Sequence, residues 1–490
     1  MASSSTFPPP CRLPHFTPKS ISSSKPRTKT KFPVRPISTP RASFSDPFVI
    51  QIAETLEDSN STLSSKQSPP LDKLRETSSQ SLLSKSWPSR KDERFRFTDT
   101  SFIKRSQIHP VLNPPNSESN LIDISSDIPQ SPNLVIVDGY IVPSLSKISE
   151  LPENVYVGSI SDISSVEIME KVTKFVSDFQ EGDLFWSLNG IGAPDATVVF
   201  VPSGCHVEKP LSFRFYSSES GDTESTHLPM SNPRVLILVE KGGEIGIIEE
   251  HLSGNEEEEK CYWENSVMEV FIGEGGKVTH SYIQQQAANA AHIKWTYVQQ
   301  ESSSTYELVE ISSGGKLGRH NLHIQQVGPD TVTEVSTFQL CVRAQTQDLH
   351  SRIFLQHPRG TTRQLHKCIV AHSLGQVVFD GNVELIRPAQ ETDANQLSRS
   401  LLLEPGATVN VVPNLQIKPD GVQCSHGATI CGLDEEDEQL FYLLARGIDT
   451  KTARKALLFA FGAEVTERLP CESLRKKVDS HIQRLLEPIA

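Results

Sequence analysis

The segment Gly421-Val422-Gln423-Cys424-Ser425-His426-Gly427-Ala428-Thr429 puts a thiol, a hydroxyl and an imidazole within three residues, between two glycines. Thiolate sulfur and imidazole nitrogen are the ligands that soft and borderline transition metals and their sulfur clusters take. If the segment is a strand, alternation puts Cys424 and His426 on one face. Gly421 and Gly427 then let a second backbone come close. A histidine in a strand is commonly structural, and a small buried thiol packs well for its own sake. His426 is therefore the first candidate ligand, with a transient metal as its charge, and Cys424 the second. Cys431 lies close enough to suggest a zinc site, but no fourth ligand is evident and there is no Cys-x-x-Cys knuckle. The eight cysteines lack the spacing of a disulfide framework, which fits a reducing compartment or simple burial.

Other chemistries find little support. No Gly-x-x-x-x-Gly-Lys-Ser/Thr occurs, and Gly273-Glu274-Gly275-Gly276-Lys277-Val278 lacks both the spacing and the hydroxyl. Neither a Gly-x-Ser-x-Gly elbow nor His-Glu-x-x-His nor a dinucleotide fingerprint is present. A net charge of −13 disfavours nucleic acid as a partner, because counterion release needs a basic surface. No apolar run approaches the ~18 residues that span a bilayer, so no membrane is expected.

The elements that must position the motif follow from a pass along the 490 residues. Residues 1–45 hold eight Lys or Arg, nine Pro and no acid. They can bury no core, lack a secretory apolar stretch, and are too proline-rich for an amphipathic presequence helix, so they read as a chloroplast transit peptide. Residues 46–86 offer one short amphipathic helix, Phe48 to Leu56, then Ser-rich linker. Residues 87–196 form a mixed α/β region with a helix over Ser164 to Phe179. Its opening stretch, Trp87 to Asp99, interleaves basic and aromatic residues. That pattern suits single-stranded nucleic acid, but the net charge favours packed residues whose arginines pair with nearby acids.

From 197 to 432, β-branched and aromatic runs follow one another, from Thr197–Val201 to Val377–Ile386. Similar small-residue turns recur among them: Glu240-Lys-Gly-Gly, Gly273-Glu-Gly-Gly, Ser312-Ser-Gly-Gly and Glu404-Pro-Gly-Ala. Recurring turn-plus-strand units predict a stacked β-solenoid in which each coil buries its inward row against its neighbours. Leu322 and Ile324 should face in, His323 and Gln325 out. The acidic run from Glu249-Glu250 to Glu259 reads as an exposed loop, because like charges repel and stay solvated. Residues 433–490 are helical. One helix runs from Glu435 to Arg446 with Gly447 past its end, a second from Thr450 to Phe461 is capped by Asp449 and stopped by Gly462, and a third carries the stripe Leu474, Val478, Ile482, Leu485, Leu486. One face of each should pack on the solenoid's end.

Several stretches resemble the SufB/SufD family of iron–sulfur cluster assembly scaffolds: Phe379-Asp380-Gly381-Asn382-Val383, Ala389 to Gln396, Ser400 to Leu403, Asn414 to Ile417, Asp420 to Thr429, and Leu440 to Ile448. The Cys-Ser-His-Gly-Ala-Thr form is similar to the SufD branch. Pro88 to Thr98 also resembles that branch's N-terminal segment. The resemblance implies a mainly β chain, a right-handed parallel β-helix flanked by N- and C-terminal α-helical domains. It implies a non-ATPase scaffold in the chloroplast stroma, pairing by its solenoid end with a SufB-type protein and receiving a SufC-type ATPase on its C-terminal helices. His426 and Cys424 would lie at the SufB junction. Leu440, Phe441, Leu443, Leu444 and Arg446 would meet SufC. The implied cofactors are a nascent iron–sulfur cluster shared with SufB and, at the level of the complex, reduced flavin. The alternative, from a different class, is a β-solenoid enzyme acting on a carbohydrate or acyl substrate, because lyases and acyltransferases also use this architecture, although the six-residue periodicity of the acyltransferases is absent.

Overall fold

The computed structural model describes residues 46–63, 68–111, 131–176, 181–221, 227–253, 260–432 and 438–487. Residues 1–45, expected to be a transit peptide, and the acids at 254–259 lie outside them. From Thr197 to Gly432 the chain winds through two parallel sheets, and from Arg234–Val239 onward each strand pairs with the strand two further on. One sheet ends with Gln376–Leu385 and Thr408–Ile417, the other with Asp393–Leu402 and Gln423–Gly432. The structure is thus the parallel β-solenoid that the recurring turns predict. Ten-residue strands stay in register over their full length, for example Thr346–Leu355 against Gln376–Leu385. Parallel pairing without helical crossovers is possible because each strand's successor lies in the opposite sheet. Leu322 and Ile324 face the shared interior with Val298, Leu349, Phe379 and Val383. His323 faces outward as expected, yet it is buried, because N-terminal residues cover that face.

The turns fall into two sets, which the glycine pattern alone merges. At the corner leading from the eleven-stranded to the ten-stranded sheet, one residue per coil adopts the left-handed conformation: Gly204, Gly242, Gly275, Ser303, Asp330, Arg359 and Glu391, all with φ between 57° and 67°. Each of their N–H groups donates to a carbonyl of the next coil, and the last of the seven bonds runs from Glu391 to Gly421 at 2.7 Å. Only the first three positions are glycine. The others meet the same conformational demand with side chains that pay a strain cost there, so the corner drops out of a search for glycine. Gly315 and Gly406 belong to the opposite corner.

Both outer faces are partly roofed. Helices Pro47–Leu63 and Leu184–Gly192 lie over the eleven-stranded sheet, with Val49, Ile52, Trp87, Phe95, Phe185 and Trp263 in one cluster. The Ser-rich stretch expected as linker instead carries a helix, Pro69–Leu82, because Leu71, Leu74 and Leu82 recur on one buried face. In the Trp87–Asp99 segment the aromatic Trp87 and Phe95 are buried, whereas Arg90, Arg94 and Arg96 are exposed rather than packed. Arg90 reaches Asp99 at 3.8 Å, and Arg319 of the solenoid stacks on Phe95 at 3.9 Å while pairing with Asp348.

The C-terminal helices correct a second expectation. Thr450–Thr466 and Glu472–Leu486 lie across the outer face of the ten-stranded sheet, not on the solenoid's end. Leu458, Val465, Leu474, Val478 and Ile482 meet Ile311, Phe338, Leu340 and Ile369. Asp449 caps the first of them by accepting from Thr452 N–H at 3.0 Å. Gly462 does not stop that helix. It sits inside, where an added Cβ would lie 3.1 Å from the Phe338 ring, so glycine here permits close approach of helix and sheet. No helix among the described residues is long and apolar enough to cross a membrane.

Candidate functional site

The Cys-Ser-His segment is the final strand, Gln423–Gly432. Among the described residues it pairs only with Asp393–Leu402, and the final strand of the other sheet, Thr408–Ile417, pairs only with Gln376–Leu385. Two ten-residue edges therefore open at the same end of the solenoid. Unpaired N–H and C=O groups on such an edge are a template for another strand. Because the helices lie on the sheet's face, they leave this end uncovered. Ile417 and Ile430 are 46% and 52% exposed, where the preceding coil buries Leu385 and Ser400 in register with them, and Val412 is 43% exposed.

Register shows what the motif continues. Cys424 extends the inward row of Ala394 and packs, half-buried, on the interior cluster with Val411, Leu415 and Val422. Burial pushes its thiol pKa up, so the sulfur is protonated in the isolated chain at neutral pH. His426 lies in register with Gln396, and Gln396 with Gln364. Those two are buried and joined: Gln396 Nε2 donates to Gln364 Oε1 at 2.9 Å, and Gln364 Nε2 to Ser351 Oγ at 2.7 Å. Among the described residues Gln396 Oε1, one rung from His426, has no hydrogen-bond partner. His426 is thus the exposed last rung of a polar inward row, on the same face as Cys424. Cys431 is in register with Leu401, which packs under the helices, so it belongs to the opposite face from Cys424. The three residues do not form a zinc site.

The rest of the motif positions this row. Phe379 stacks on His366 with centroids 4.3 Å apart, and Gly381 leaves room for the Gln396 amide that a Cβ would displace. Asp380 and Asn382 alternate outward into a polar cleft with His350 and Arg352. Gly421 N–H donates to Gln390 Oε1 at 3.0 Å, and Gln423 N–H to Thr392 O at 2.9 Å, which fixes the entry to the final strand.

Beyond the open end, the helix Glu438–Leu444 is short. Leu440 is buried and anchors it, Leu443 and Leu444 are half-buried, and Phe441 and Tyr442 are 68% and 54% exposed. Arg446 lies over the Tyr442 ring at 3.5 Å, and Gly447 takes φ +82° just past the helix.

A second chemical centre escaped the sequence. Glu249 and Glu250, expected in an exposed loop, belong to the strand Glu244–Leu252 and are buried. Glu250 turns outward to Arg214 at 3.3 Å and Lys477 at 2.9 Å. Glu249 turns inward, meeting Lys294 at 2.6 Å, His251 at 2.8 Å and His280 at 3.0 Å. Burial alone would raise the Glu249 pKa, but Lys294 and the two histidines outweigh it and hold the carboxyl well below its usual range. Burial likewise opposes charge on His251, yet Glu264 and Glu249 raise its pKa. The available signal was spacing. Counting from Gly243 and Gly276 pairs Glu249 with Tyr282, a strand position rather than a loop.

The sequence that builds this solenoid has known relatives. Residues 220–461 match the SufBD core domain of the SUF system of iron–sulfur cluster assembly, and residues 50–213 match the SufBD protein N-terminal region. The chain belongs to the SufBD family of iron–sulfur cluster assembly proteins. It is 53% identical to the chloroplastic protein ABCI7 of Arabidopsis thaliana, over 97% of this chain and 98% of that one. It is 33% identical to an iron–sulfur cluster assembly SufBD family protein of Synechocystis, over 80% and 86% of the two chains. With the iron–sulfur cluster assembly protein SufD of Escherichia coli it shares 28% identity over 83% and 91%.

Proposed function

We propose that this chain is a non-catalytic scaffold subunit of a plastid SUF machine. Its two open edge strands, Thr408–Ile417 and Gln423–Gly432, pair with a SufB-type partner. His426, with Cys424 beside it, faces the nascent iron–sulfur cluster at that seam. A SufC-type ATPase docks on the short helix through Phe441, Leu443, Leu444 and Arg446, held in place by Leu440. The chloroplastic relative supports a plastid location, and residues 1–45 act as the leader that delivers the chain to the stroma. Reduced flavin, where it is used, acts on the assembled complex.

The observation that carries this reading is the pair of ten-residue edges open at one end, with His426 exposed on one of them. An imidazole at a seam can hold iron or sulfur only after a partner closes water out, and an exposed edge supplies that closure on pairing. The test is His426→Ala in a complex reconstituted from the mature chain with SufB- and SufC-type partners. Assembly, ATPase activity and cluster formation are read separately. Loss of cluster with assembly and ATPase activity intact is the expected result. Failure to assemble would make His426 a structural residue of the seam, and full activity would remove it from the chemistry.

A further inference from the structure

The buried centre inside the solenoid is arranged as a coordination sphere as well as an ion-pair network. Nitrogens of His251 and His292 and an oxygen of Glu264 all lie within 4.8 Å of one another, and all three side chains are closed to solvent. They come from three strands, Glu244–Leu252, Trp263–Ile272 and Ala291–Gln300. Register places His292 directly beside Glu264.

The surrounding layer orients them. Glu249 Oε1 lies 2.8 Å from His251 Nε2, which turns the other ring nitrogen, Nδ1, to Glu264 Oε1 at 2.5 Å. A carboxylate on the far nitrogen is how proteins aim a histidine at a metal. Gln286 Nε2 donates to Glu264 Oε2 at 2.8 Å and contacts His292 Nδ1 at 3.0 Å, and Gln284 holds the Gln286 carbonyl at 3.0 Å. Among the described residues His292 Nε2 has no hydrogen-bond partner, although the residue is 1% exposed. An orphaned buried nitrogen is costly, and a ring serving as a ligand gives that position a use.

We propose that His251, Glu264 and His292 bind a first-row divalent cation of the zinc or ferrous kind, inside the solenoid and apart from its open end. Two imidazoles with one carboxylate suit such ions, with solvent oxygen completing the sphere. Without the cation, a proton on His251 Nδ1 is shared with Glu264. On uptake that proton leaves as H⁺ and the freed lone pair bonds to the ion. One proton is released per cation, with no change of oxidation state. Lys294 remains on Glu249 and is the nearby positive charge that the site must tolerate.

The experiment titrates the full, chelator-stripped chain with Co²⁺, then competes it with Zn²⁺. One equivalent should bind, with visible d–d absorption, no sulfur-to-cobalt charge-transfer band, and release of about one proton. His292→Gln and Glu264→Gln should lose stoichiometric binding. Glu249→Gln should weaken it by about 10–100-fold. A Cys424→Ser, His426→Ala double variant should bind as the parent does. Near-UV circular dichroism reports whether the buried variants fold. If they do not, X-ray absorption of the Zn²⁺-loaded parent decides, with imidazole scattering and no sulfur shell expected. No Co²⁺ uptake by the parent, a sulfur shell, unchanged binding in folded His292→Gln, or loss of the signal in the double variant would each overturn the site.

Discussion

Two stretches of the same solenoid treat inward-facing polar residues in opposite ways. Between Glu244 and Gln300, the inward Glu249, His251, Glu264 and Lys294 are sealed by coils on both sides and satisfy one another at 2.5–2.8 Å. At the final strand, His426 occupies the equivalent kind of inward position but has a coil on one side only, and it is exposed. Strand geometry, register and residue chemistry barely differ. What differs is whether another coil follows. Burial turns a polar row into a rigid, costly-to-break centre, and its absence leaves the row available to a partner.

The largest effect is expected where the sealed centre is broken. Lys294→Met leaves Glu249 buried without its closest cation and should cost about 3–5 kcal/mol of unfolding free energy, read from the shift in denaturant midpoint. If the midpoint hardly moves, the centre is not sealed as described. Acid probes the same contrast. Burial pushes the Asp348 pKa up, but Arg319 and His350 outweigh it and hold it at about 2. A depressed carboxyl stabilises the fold above its unfolded pKa of about 4, and the contribution fades as pH falls from 4 towards 2. That contribution is on the order of 2 kcal/mol, so Arg319→Met should flatten the acid limb of a stability–pH curve.

Next comes Gly462→Val, which forces a side chain towards Phe338 beneath the covered face and should cost about 1–3 kcal/mol in thermal or denaturant unfolding. The smallest effects belong to the open end. Gln423 N–H bonds inward to Thr392, so by alternation the Ala428 N–H points to the free edge. Ala428→Pro and His426→Ala should each change the stability of the isolated chain by less than about 0.5 kcal/mol. Ala428→Pro should nevertheless abolish co-purification with a SufB-type partner. A large loss of stability in either would mean that the end is not free.

How far the sequence could be read follows the same division. The solenoid, the Asp449 cap, the Gly447 terminus and the Cys424–His426 face are local or periodic, and they were legible. The fate of Glu249 and Glu250 was not, because their partners Lys294 and Lys477 are distant in sequence and a charge run looks alike solvated or paired. Nor could the resting place of the C-terminal helices be read, since an apolar stripe at Leu474, Val478 and Ile482 suits a sheet's face as well as its end. Leu440 and Phe441 are adjacent apolar residues with opposite fates, which only the short helix's packing decides.

The corner of seven left-handed residues carries an electrical consequence. From Lys241–Gly242 onward, each peptide group there accepts through its carbonyl from the preceding coil and donates through its N–H to the following one. Because a trans peptide holds these two groups antiparallel, the bonds line up in one sense along the stack. Their dipoles add, and such chains strengthen each bond by roughly 10–30%. The final acceptor is Gly421 O, so the peptide's other half, the Val422 N–H, points out of the open end two residues from Cys424. The rim therefore carries a partial positive charge beside the thiol, and the first acceptor to arrive, a partner's carbonyl or an anionic sulfur, meets a donor polarised by the chain of bonds behind it.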